Sequence, residues 1–307
     1  MTKHSSSNPL VTFWGTRGSV PTPGSTTEKY GGNTPCVSVQ YGNTEIILDA
    51  GTGIRSLGIA LMARKKQGGE SRYTPRSNTL HLLLSHTHWD HIQGLPFFEP
   101  AYAEGTRLSI YGSPRKGRFL ESILEGQMDV NYFPVDMNAF SAEITINEIS
   151  ADKVKIGNVQ VTNEEQIRHP GGSLRYCLEC GRKRIVYATD VELDTIFDNK
   201  SRTKQNRTLA KKYRDFITDA DLLIADGQYT TEQYLKRKGL KWGHTSIPLL
   251  LKIAHEQGVK QVAVFHHDPQ NSDSILDALW AKYAPQYSSK TSPMNIFWSR
   301  EGMTLAV

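Results

Sequence analysis

One stretch decides the fold of this chain, and it reads HLLLSHTHWDHIQG from His81 to Gly94. An apolar run leads directly into three histidines and one aspartate, all within six residues. Such a run is typical of a strand buried on both faces. Residues two positions apart in an extended segment project to the same side, so His86 and His88 can bind one ion. Asp90 and His91 lie beyond the turn and can bind a second ion beside it.

The ligand types in this stretch indicate a catalytic metal site. Neutral imidazole and carboxylate together suit zinc, manganese or iron, whereas structural zinc sites usually contain cysteine thiolates. The stretch contains no cysteine. A single histidine is commonly a core or surface residue, but this is a poor explanation for four such groups at this spacing.

Length and hydropathy predict a soluble protein with one large domain. The 307 residues could form two average domains, but large two-sheet enzymes often reach this size as one unit. We expect a flexible segment over residues 1–10 and a single domain over residues 11–307. The amino end has no apolar run of the kind found in signal peptides, and no apolar segment is long enough to span a bilayer. The expected location is the cytoplasm.

The cysteines and the net charge argue against other classes of protein. Three cysteines, Cys36, Cys177 and Cys180, are too few for a disulfide framework and agree with a reducing compartment. The last two form a CxxC pair that suggests a redox or zinc-knuckle site, but no second ligand pair accompanies it, and the flanking residues favour a β-hairpin. The formal charge of +5 is a mild bias toward anionic substrates and is weaker than that of a typical nucleic-acid-binding domain.

Several motifs resemble those of the metallo-β-lactamase superfamily. The main one is His86-x-His88-x-Asp90-His91, with the segment LDAGTG at residues 48–53 upstream. WGTRGS at residues 14–19 and HHDP at residues 266–269 are similar to the phosphodiesterase branch, the relatives of transfer-RNA 3′-end nucleases and cyclic-phosphate phosphodiesterases. The resemblance covers most of the chain. It implies a four-layer αββα sandwich, an α/β fold with two packed β-sheets and helices outside.

The resemblance also implies ligands for two divalent ions, Zn or Mn. One ion would be bound by His86, His88 and His169, the other by Asp90, His91 and His266, with Asp190 bridging both. His169 stands before a glycine turn, and Asp190 ends a β-rich run. His267 is the alternative to His266. Strand register favours His266 as the ligand and leaves His267 as an outer contact to a ligand or to the substrate.

Three further residues have expected roles near the ions. Asp49 would hold the second ring nitrogen of a ligating histidine, and its alternative role is a helix N-cap. His244 lies before Thr245 and Ser246, either of which could cap the next helix, and this loop resembles the Gly-His-Ser/Thr loop of the nuclease branch. His244 would donate a hydrogen bond or proton toward the phosphate or leaving oxygen, with Asp226 as its acidic partner.

Together these features predict a dinuclear metal phosphodiesterase in which Asp90 serves catalysis as well as metal binding. Two cations about 3.5–4 Å apart would lower the pKa of a shared water, and the bridging hydroxide would attack phosphorus. The preferred substrate is a small anionic phosphodiester, a 3′,5′-cyclic nucleotide, because the sequence shows no long glycine-rich arm for gripping RNA. We also expect a homodimer without membrane contact.

Three alternatives to this function stay open. A transfer-RNA 3′-processing endoribonuclease is supported by seven basic residues between Lys200 and Arg214, although such a run is commonly a solvated helix face. A thioester or lactam hydrolase has no obvious use for His244. A non-catalytic metal-binding protein is hard to reconcile with an intact ligand set.

Two loops near the expected site have two interpretations each. The WGTRGS loop is either a surface connection or a phosphate-binding loop in which Arg17 and Ser19 are donors. Tyr132 and Phe133 could stack a nucleobase, but an aromatic pair before a proline is more commonly loop packing. The sequence places a helix before that pair, over residues 114–126.

Overall fold

The computed structural model describes residues 8–66, 78–114, 117–151, 153–200, 203–287 and 293–307. These residues form two seven-stranded β-sheets with helices outside them. Residues 1–7 of the expected flexible segment lie outside the described residues, as do residues 201 and 202 of the basic run.

The first sheet is mixed, and its later strands are parallel. It contains β1 (Leu10–Gly15), β2 (Cys36–Tyr41), β3 (Thr44–Leu48), β4 (Thr79–Leu83), β5 (Arg107–Gly112), β6 (Glu143–Glu148) and β14 (Thr304–Ala306). Their order across the sheet is β14-β1-β2-β3-β4-β5-β6. Strands β3 to β6 run parallel to one another, whereas β1, β2 and β3 form an antiparallel meander.

The second sheet is also mixed, with an antiparallel part and a parallel part. It contains β7 (Lys153–Ile156), β8 (Val159–Gln166), β9 (Ser173–Cys180), β10 (Lys183–Ala188), β11 (Leu222–Asp226), β12 (Gln261–Phe265) and β13 (Asn295–Trp298). Their order is β13-β12-β11-β10-β9-β8-β7, and β10 to β13 are parallel. The carboxyl ends of parallel strands meet at one edge of a sheet, which is where α/β folds place their ligands.

Eight α-helices connect the strands within the described ranges. They are α1 (Gly53–Lys66), α2 (Trp89–Ile92), α3 (Leu120–Gln127), α4 (Leu193–Ile196), α5 (Lys204–Ile217), α6 (Thr231–Arg237), α7 (Ile247–Glu256) and α8 (Asp273–Tyr283). None of these helices, within the described ranges, is long and apolar enough to cross a bilayer.

Three hydrophobic cores separate the layers. The central core lies between the two sheets and includes Ile46, Leu48 and Phe265. A second core covers the outer face of the first sheet, where Ile47 packs with residues of α1. A third covers the outer face of the second sheet, where Val264 packs with residues of α7 and α8. Alternate residues of β3 enter different cores, so this strand is buried on both faces. The αββα sandwich expected from the sequence is therefore confirmed.

The hairpin predicted around the CxxC pair is confirmed. Strands β9 and β10 pair antiparallel across a turn at Gly181, whose φ of 63° is one that glycine adopts without strain. Cys177 packs in the third core and Cys180 in the central core, so the two side chains lie on opposite faces of the sheet. Both thiols are free and buried.

One helix begins later than predicted. The helix expected over residues 114–126 is α3, which starts at Leu120. Gly117 has a φ of 74°, which lies outside the helical region, so the chain turns before the helix can begin. Residues 115 and 116 lie outside the described residues.

Candidate metal centre

Asp49 organises the carboxyl end of β4. Its two oxygens accept hydrogen bonds from Ser85 N at 2.6 Å, Ser85 Oγ at 2.8 Å, Tyr187 Oη at 2.6 Å and His91 Nδ1 at 2.8 Å. With Nδ1 held in this way, Nε2 of His91 faces Asp90 and Asp190, at 3.3 Å from an oxygen of each. A carboxylate behind a histidine orients the ring and raises its basicity, so Asp49 has the position that its predicted role requires.

The first group of expected ligands consists of three imidazoles. His86, His88 and His169 place one nitrogen each within 4.8 Å of the others. His88 Nδ1 and His169 Nε2 are 3.0 Å apart. Within the described part of the chain, the buried Nε2 of His86 has no hydrogen-bond partner. A buried nitrogen that faces two other imidazoles without a donor or acceptor fits a cation at their centre.

The second group brings Asp90 and His91 of α2 together with His266, which follows β12. His266 Nε2 lies 3.2 Å from Asp90 Oδ2 and 3.3 Å from His91 Nε2. Gln228 Nε2 lies 3.4 Å from Nδ1 of His266 on the far side of that ring. The backbone amide of Ser19 donates to Asp90 Oδ2 at 2.8 Å, so the WGTRGS loop supports a proposed ligand.

Asp190 lies between the two groups, and its two oxygens face different histidines. Oδ2 is 3.3 Å from His91 Nε2 and 3.5 Å from His266 Nε2. Oδ1 is 3.8 Å from His169 Nε2 and 3.6 Å from His244 Nδ1. A carboxylate with one oxygen toward each group has the placement that a bridging ligand requires.

Three of these residues adopt left-handed backbone conformations. Asp49, Asp190 and His266 have φ values of 62°, 59° and 57°, and each lies one or two residues after the end of a strand. Non-glycine residues are uncommon in this region, and such strain clusters at functional sites because the surrounding contacts must maintain it. The turn redirects each side chain from the sheet into the space between the strand ends.

The electrostatics of the cluster keep its carboxylates ionised and several imidazoles neutral. Burial lowers the pKa of His86 well below its usual value and lowers that of His169 to about 4. Burial alone would raise the pKa of Asp190, but the neighbouring His266 and His91 outweigh it and hold that pKa well below its usual range. Neutral imidazoles and ionised carboxylates are the forms that bind metal.

His244 and Asp226 lie beside this cluster. His244 Nδ1 is 3.3 Å from Asp226 Oδ2, and the same oxygen accepts a hydrogen bond from Thr245 N at 3.2 Å. Burial lowers the pKa of His244 to about 4. Burial and then the charge of Asp190 raise the pKa of Asp226 well above its usual value. His244 therefore lies within ion-pair distance of the acid from the preceding strand, but its Nδ1 makes no hydrogen bond to a described residue.

The expected side-chain cap of α7 is absent from the described contacts. Thr245 Oγ1 donates to the carbonyl of Val191, and Ser246 Oγ donates to Asp194 Oδ1 at 2.6 Å. The Ser246 amide donates to the other oxygen of Asp194 at 2.7 Å. Asp194 from α4 therefore competes for the hydroxyl that would cap the helix, and it ties the His244 loop to α4.

Arg17 is structural, contrary to the phosphate-binding interpretation of its loop. The side chain is fully buried, and its guanidinium donates to the carbonyls of Gly31, Asp268 and Asn271 at 2.8–3.2 Å. These neutral acceptors occupy the donor fork that a phosphate would need. The residue instead ties the loop after β1 to the loop after β12.

His267 lies apart from the cluster, so the expected contact to a ligand or substrate is not present. Its Nε2 donates to the carbonyl of Ser299 at 2.8 Å, and its ring packs edge-on against Tyr30 at 5.7 Å. Burial, together with the charge of Arg17, lowers the pKa of His267 to about 3. Neighbouring residues of an extended segment project to opposite sides, and the structure turns His266 toward the cluster.

A cavity of about 730 Å³ opens over the cluster. Its floor includes His88, Asp90, His169, Asp190 and His244. Its walls include residues that sequence reasoning missed: Trp89, Gln228, Tyr229, Arg237 and Trp242. Trp89 lies inside the metal motif, and Trp242 lies two residues before His244. Their position beside proposed ligands is the feature of the sequence that could have identified these two tryptophans. The basic residues of α5 do not line this cavity.

Residues 44–267 match the family model described as the beta-lactamase superfamily domain. The chain belongs to the metallo-β-lactamase superfamily. The match spans well over half of the chain and contains all seven proposed metal ligands, with His266 near its end.

Relatives of this metallo-β-lactamase superfamily member include nucleic-acid hydrolases. Ribonuclease Z of Picrophilus torridus is 24% identical over 299 residues, which covers 87% of this chain and 88% of the relative. The fold is similar to that of YhfI from Bacillus subtilis, with a TM-score of 0.63, 18% identity and coverage of 97% and 99% of the two chains. It is also similar to the short form of human tRNase Z, with a TM-score of 0.61, 15% identity and coverage of 97% and 99%. The superfamily member described here is a hydrolase.

Proposed function

We propose that this hydrolase is a dinuclear metal phosphodiesterase that acts on a small phosphodiester, with a 3′,5′-cyclic nucleotide as the preferred substrate. The observation that carries the proposal is the position of Asp190, whose two oxygens face two separate ligand groups at the floor of one cavity. A single tetrahedral ion needs four ligands, and the cluster offers seven.

The residues fit two divalent ions, Zn or Mn. His86, His88 and His169 would hold one ion, Asp90, His91 and His266 the other, and Asp190 both. The unpartnered Nε2 of His86 is the observation that favours a cation at the first position. When bound, two such ions activate a water molecule and stabilise the charge on the attacking and leaving oxygens of a displacement at phosphorus.

The protein's own groups would orient the substrate and move a proton. Asp226 and Asp190 both face Nδ1 of His244, so Nε2 is the nitrogen left to contact the phosphate or leaving oxygen. In this position His244 would donate a hydrogen bond or a proton toward the phosphate or leaving oxygen, and a positioned acid typically contributes about 10²–10⁴-fold to the rate. Asp90, held by Ser19 N and His266, would keep its carboxylate toward the second ion.

The size of the cavity supports a small substrate. Sites for small molecules typically measure about 300–1,000 Å³, and this cavity of about 730 Å³ lies within that range. The basic residues of α5 supported an RNA substrate, but none of them is among the described residues that line the cavity. They lie outside the face of α5 that packs against the core.

Transfer-RNA 3′-end processing is the second candidate. The observation that favours it is the similarity to the ribonuclease Z of Picrophilus torridus along most of both chains. This activity would use the same metal ligands and the same His244. It differs from the first candidate in that the rest of the RNA would bind outside the cavity.

A hydrolysis panel tests the proposal and separates the two candidates. Protein supplied with zinc or manganese is assayed on 3′,5′-cyclic nucleotides, on a nitrophenyl phosphodiester and on a transfer-RNA precursor. We expect hydrolysis of the cyclic nucleotide and of the model diester. Cleavage of the precursor alone would support the second candidate, and hydrolysis of none of the three would overturn both.

A matched pair of variants connects the activity to the proposed site. Asp190→Asn removes the bridging charge and should abolish turnover and lower the metal content. Asp219→Asn is the control, because Asp219 also has a left-handed φ, of 56°, but is exposed and remote from the cluster. The predicted homodimer is tested in the same preparation by light scattering, with a monomer as the contradicting result.

A further inference from the structure

Two tryptophans lie exposed on the wall of the cavity. The side chains of Trp89 and Trp242 are 79% and 52% exposed, and both line the cavity above the metal centre. Tryptophan is highly buried on average, as Trp298 is here at 3% exposure. Two exposed indoles on one cavity therefore indicate a surface that binds something apolar and flat.

The indole nitrogens of Trp89 and Trp242 differ from those of two other tryptophans. Trp14 donates to Ser38 Oγ at 3.0 Å, and Trp280 donates to the carbonyl of Ile296 at 3.2 Å. Within the described part of the chain, the ring nitrogens of Trp89 and Trp242 have no such partner. Both rings are therefore available to a ligand.

The positions of both tryptophans are tied to the metal centre. Trp89 is the first residue of α2 and lies between His88 and Asp90. Trp242 precedes Gly243, whose carbonyl accepts a hydrogen bond from His169 Nδ1 at 3.2 Å. Gly243 has a φ of 80°, and a Cβ there would lie 2.7 Å from His169 Nδ1. The loop can therefore approach His169 this closely only because the residue is glycine.

Four other residues of the cavity wall together carry no net charge. Arg237 forms an ion pair with Asp268, hydrogen-bonds Gln270 Oε1 and stacks at 4.9 Å over the ring of Tyr229. All four residues line the cavity. A guanidinium already paired in this way suits an uncharged ring better than a second phosphate group.

We infer that Trp89 and Trp242 form a nucleobase platform, on which the base of the substrate stacks while its phosphate lies at the metal centre. The inference rests on the proposed function, because it takes the metal centre as the place where the phosphate binds. It narrows the substrate class from small phosphodiesters to nucleotides. Stacking tolerates every base, since each base has a π-face, so we expect little preference among the four bases.

Binding of two phosphates that differ only in the base tests the platform. Zinc-loaded protein is titrated by calorimetry with adenosine 5′-monophosphate and with ribose 5-phosphate. The wild type should bind the nucleotide more tightly by roughly 5- to 150-fold, the range for stacking one base on an aromatic ring. Trp242→Ala and Trp89→Ala should each reduce this ratio without changing the affinity for ribose 5-phosphate, and Trp242→Phe should preserve most of it.

Trp280→Ala is the matched control, because Trp280 is 47% exposed but lies on α8, away from the cavity. It should leave the ratio unchanged, and metal analysis should show full zinc content in every variant. A wild type that binds both phosphates equally, or neither, would overturn the platform, as would a ratio that survives both alanine variants. Hydrolysis of diesters together with equal binding of adenosine 5′-monophosphate and ribose 5-phosphate would overturn the platform alone. Tighter binding of adenosine 5′-monophosphate without hydrolysis of any diester would overturn the proposed function alone.

Discussion

Glu45 is a buried carboxyl whose replacement by glutamine should make the protein more stable at alkaline pH. The side chain lies in β3 and is 1% exposed, and its Oε2 has no hydrogen-bond partner within the described residues. Burial raises the pKa of Glu45 from 4.5 to about 7, while the charge of Arg64 and a hydrogen bond from Ser38 offset only part of that effect.

The direction of the pH dependence follows from this shift. The folded protein keeps the Glu45 proton up to about pH 7, whereas the unfolded chain loses it near pH 4.5. Between these values the folded state binds more protons, so the free energy of unfolding falls as the pH rises. Each pKa unit corresponds to roughly 1.4 kcal/mol, so the ionised carboxylate costs about 3 kcal/mol of stability above pH 7. Glutamine has a similar shape and no charge, and it removes this cost.

Urea unfolding of the wild type and of Glu45→Gln at pH 5 and pH 8 measures the effect. Other titrating groups are common to both proteins and cancel in the difference. We expect the advantage of the variant to grow by about 2–3 kcal/mol between the two pH values. Glu143→Gln, at an exposed position of β6, is the control and should show no such growth. An equal difference between wild type and Glu45→Gln at both pH values would refute the reasoning.

Three further predictions concern the site. Asp190→Ala should leave fewer than two ions per chain and no turnover, whereas Asp49→Ala should weaken metal affinity by about 10–100-fold. Metal titrations that do not distinguish the two variants would contradict these roles. His244→Ala should keep both ions but lose turnover on a 3′,5′-cyclic nucleotide by about 10²–10⁴-fold, with a smaller loss on a nitrophenyl diester, whose leaving oxygen needs no proton. Equal losses on both substrates would mean that His244 binds phosphate. Cys177→Ser combined with Cys180→Ser should leave the metal content unchanged, and loss of metal in that variant would reveal a site in the hairpin.

Local sequence patterns determined the elements and the candidate ligands. The apolar run before His86 indicated a strand buried on both faces, and the strand is present, although Thr79 and His81 on it are only half-buried. Gly181 marked a hairpin turn. Both features depend on neighbours within a few residues, since strand periodicity and turn conformation are local properties. The resemblance carried the assignment further, to residues such as Asp190 that are unremarkable in isolation.

Only the tertiary structure decided which groups meet. The cavity brings Trp89 together with Trp242, more than 150 positions away in the chain, and Asp190 faces histidines from three other segments. It also turned His266 into the cluster and His267 toward Ser299, and it placed Arg17 among backbone carbonyls. The physical reason is that a strand's period sets which face a side chain occupies, whereas the contacts at a strand's end depend on how two twisted sheets pack and on left-handed turns that the surrounding structure maintains.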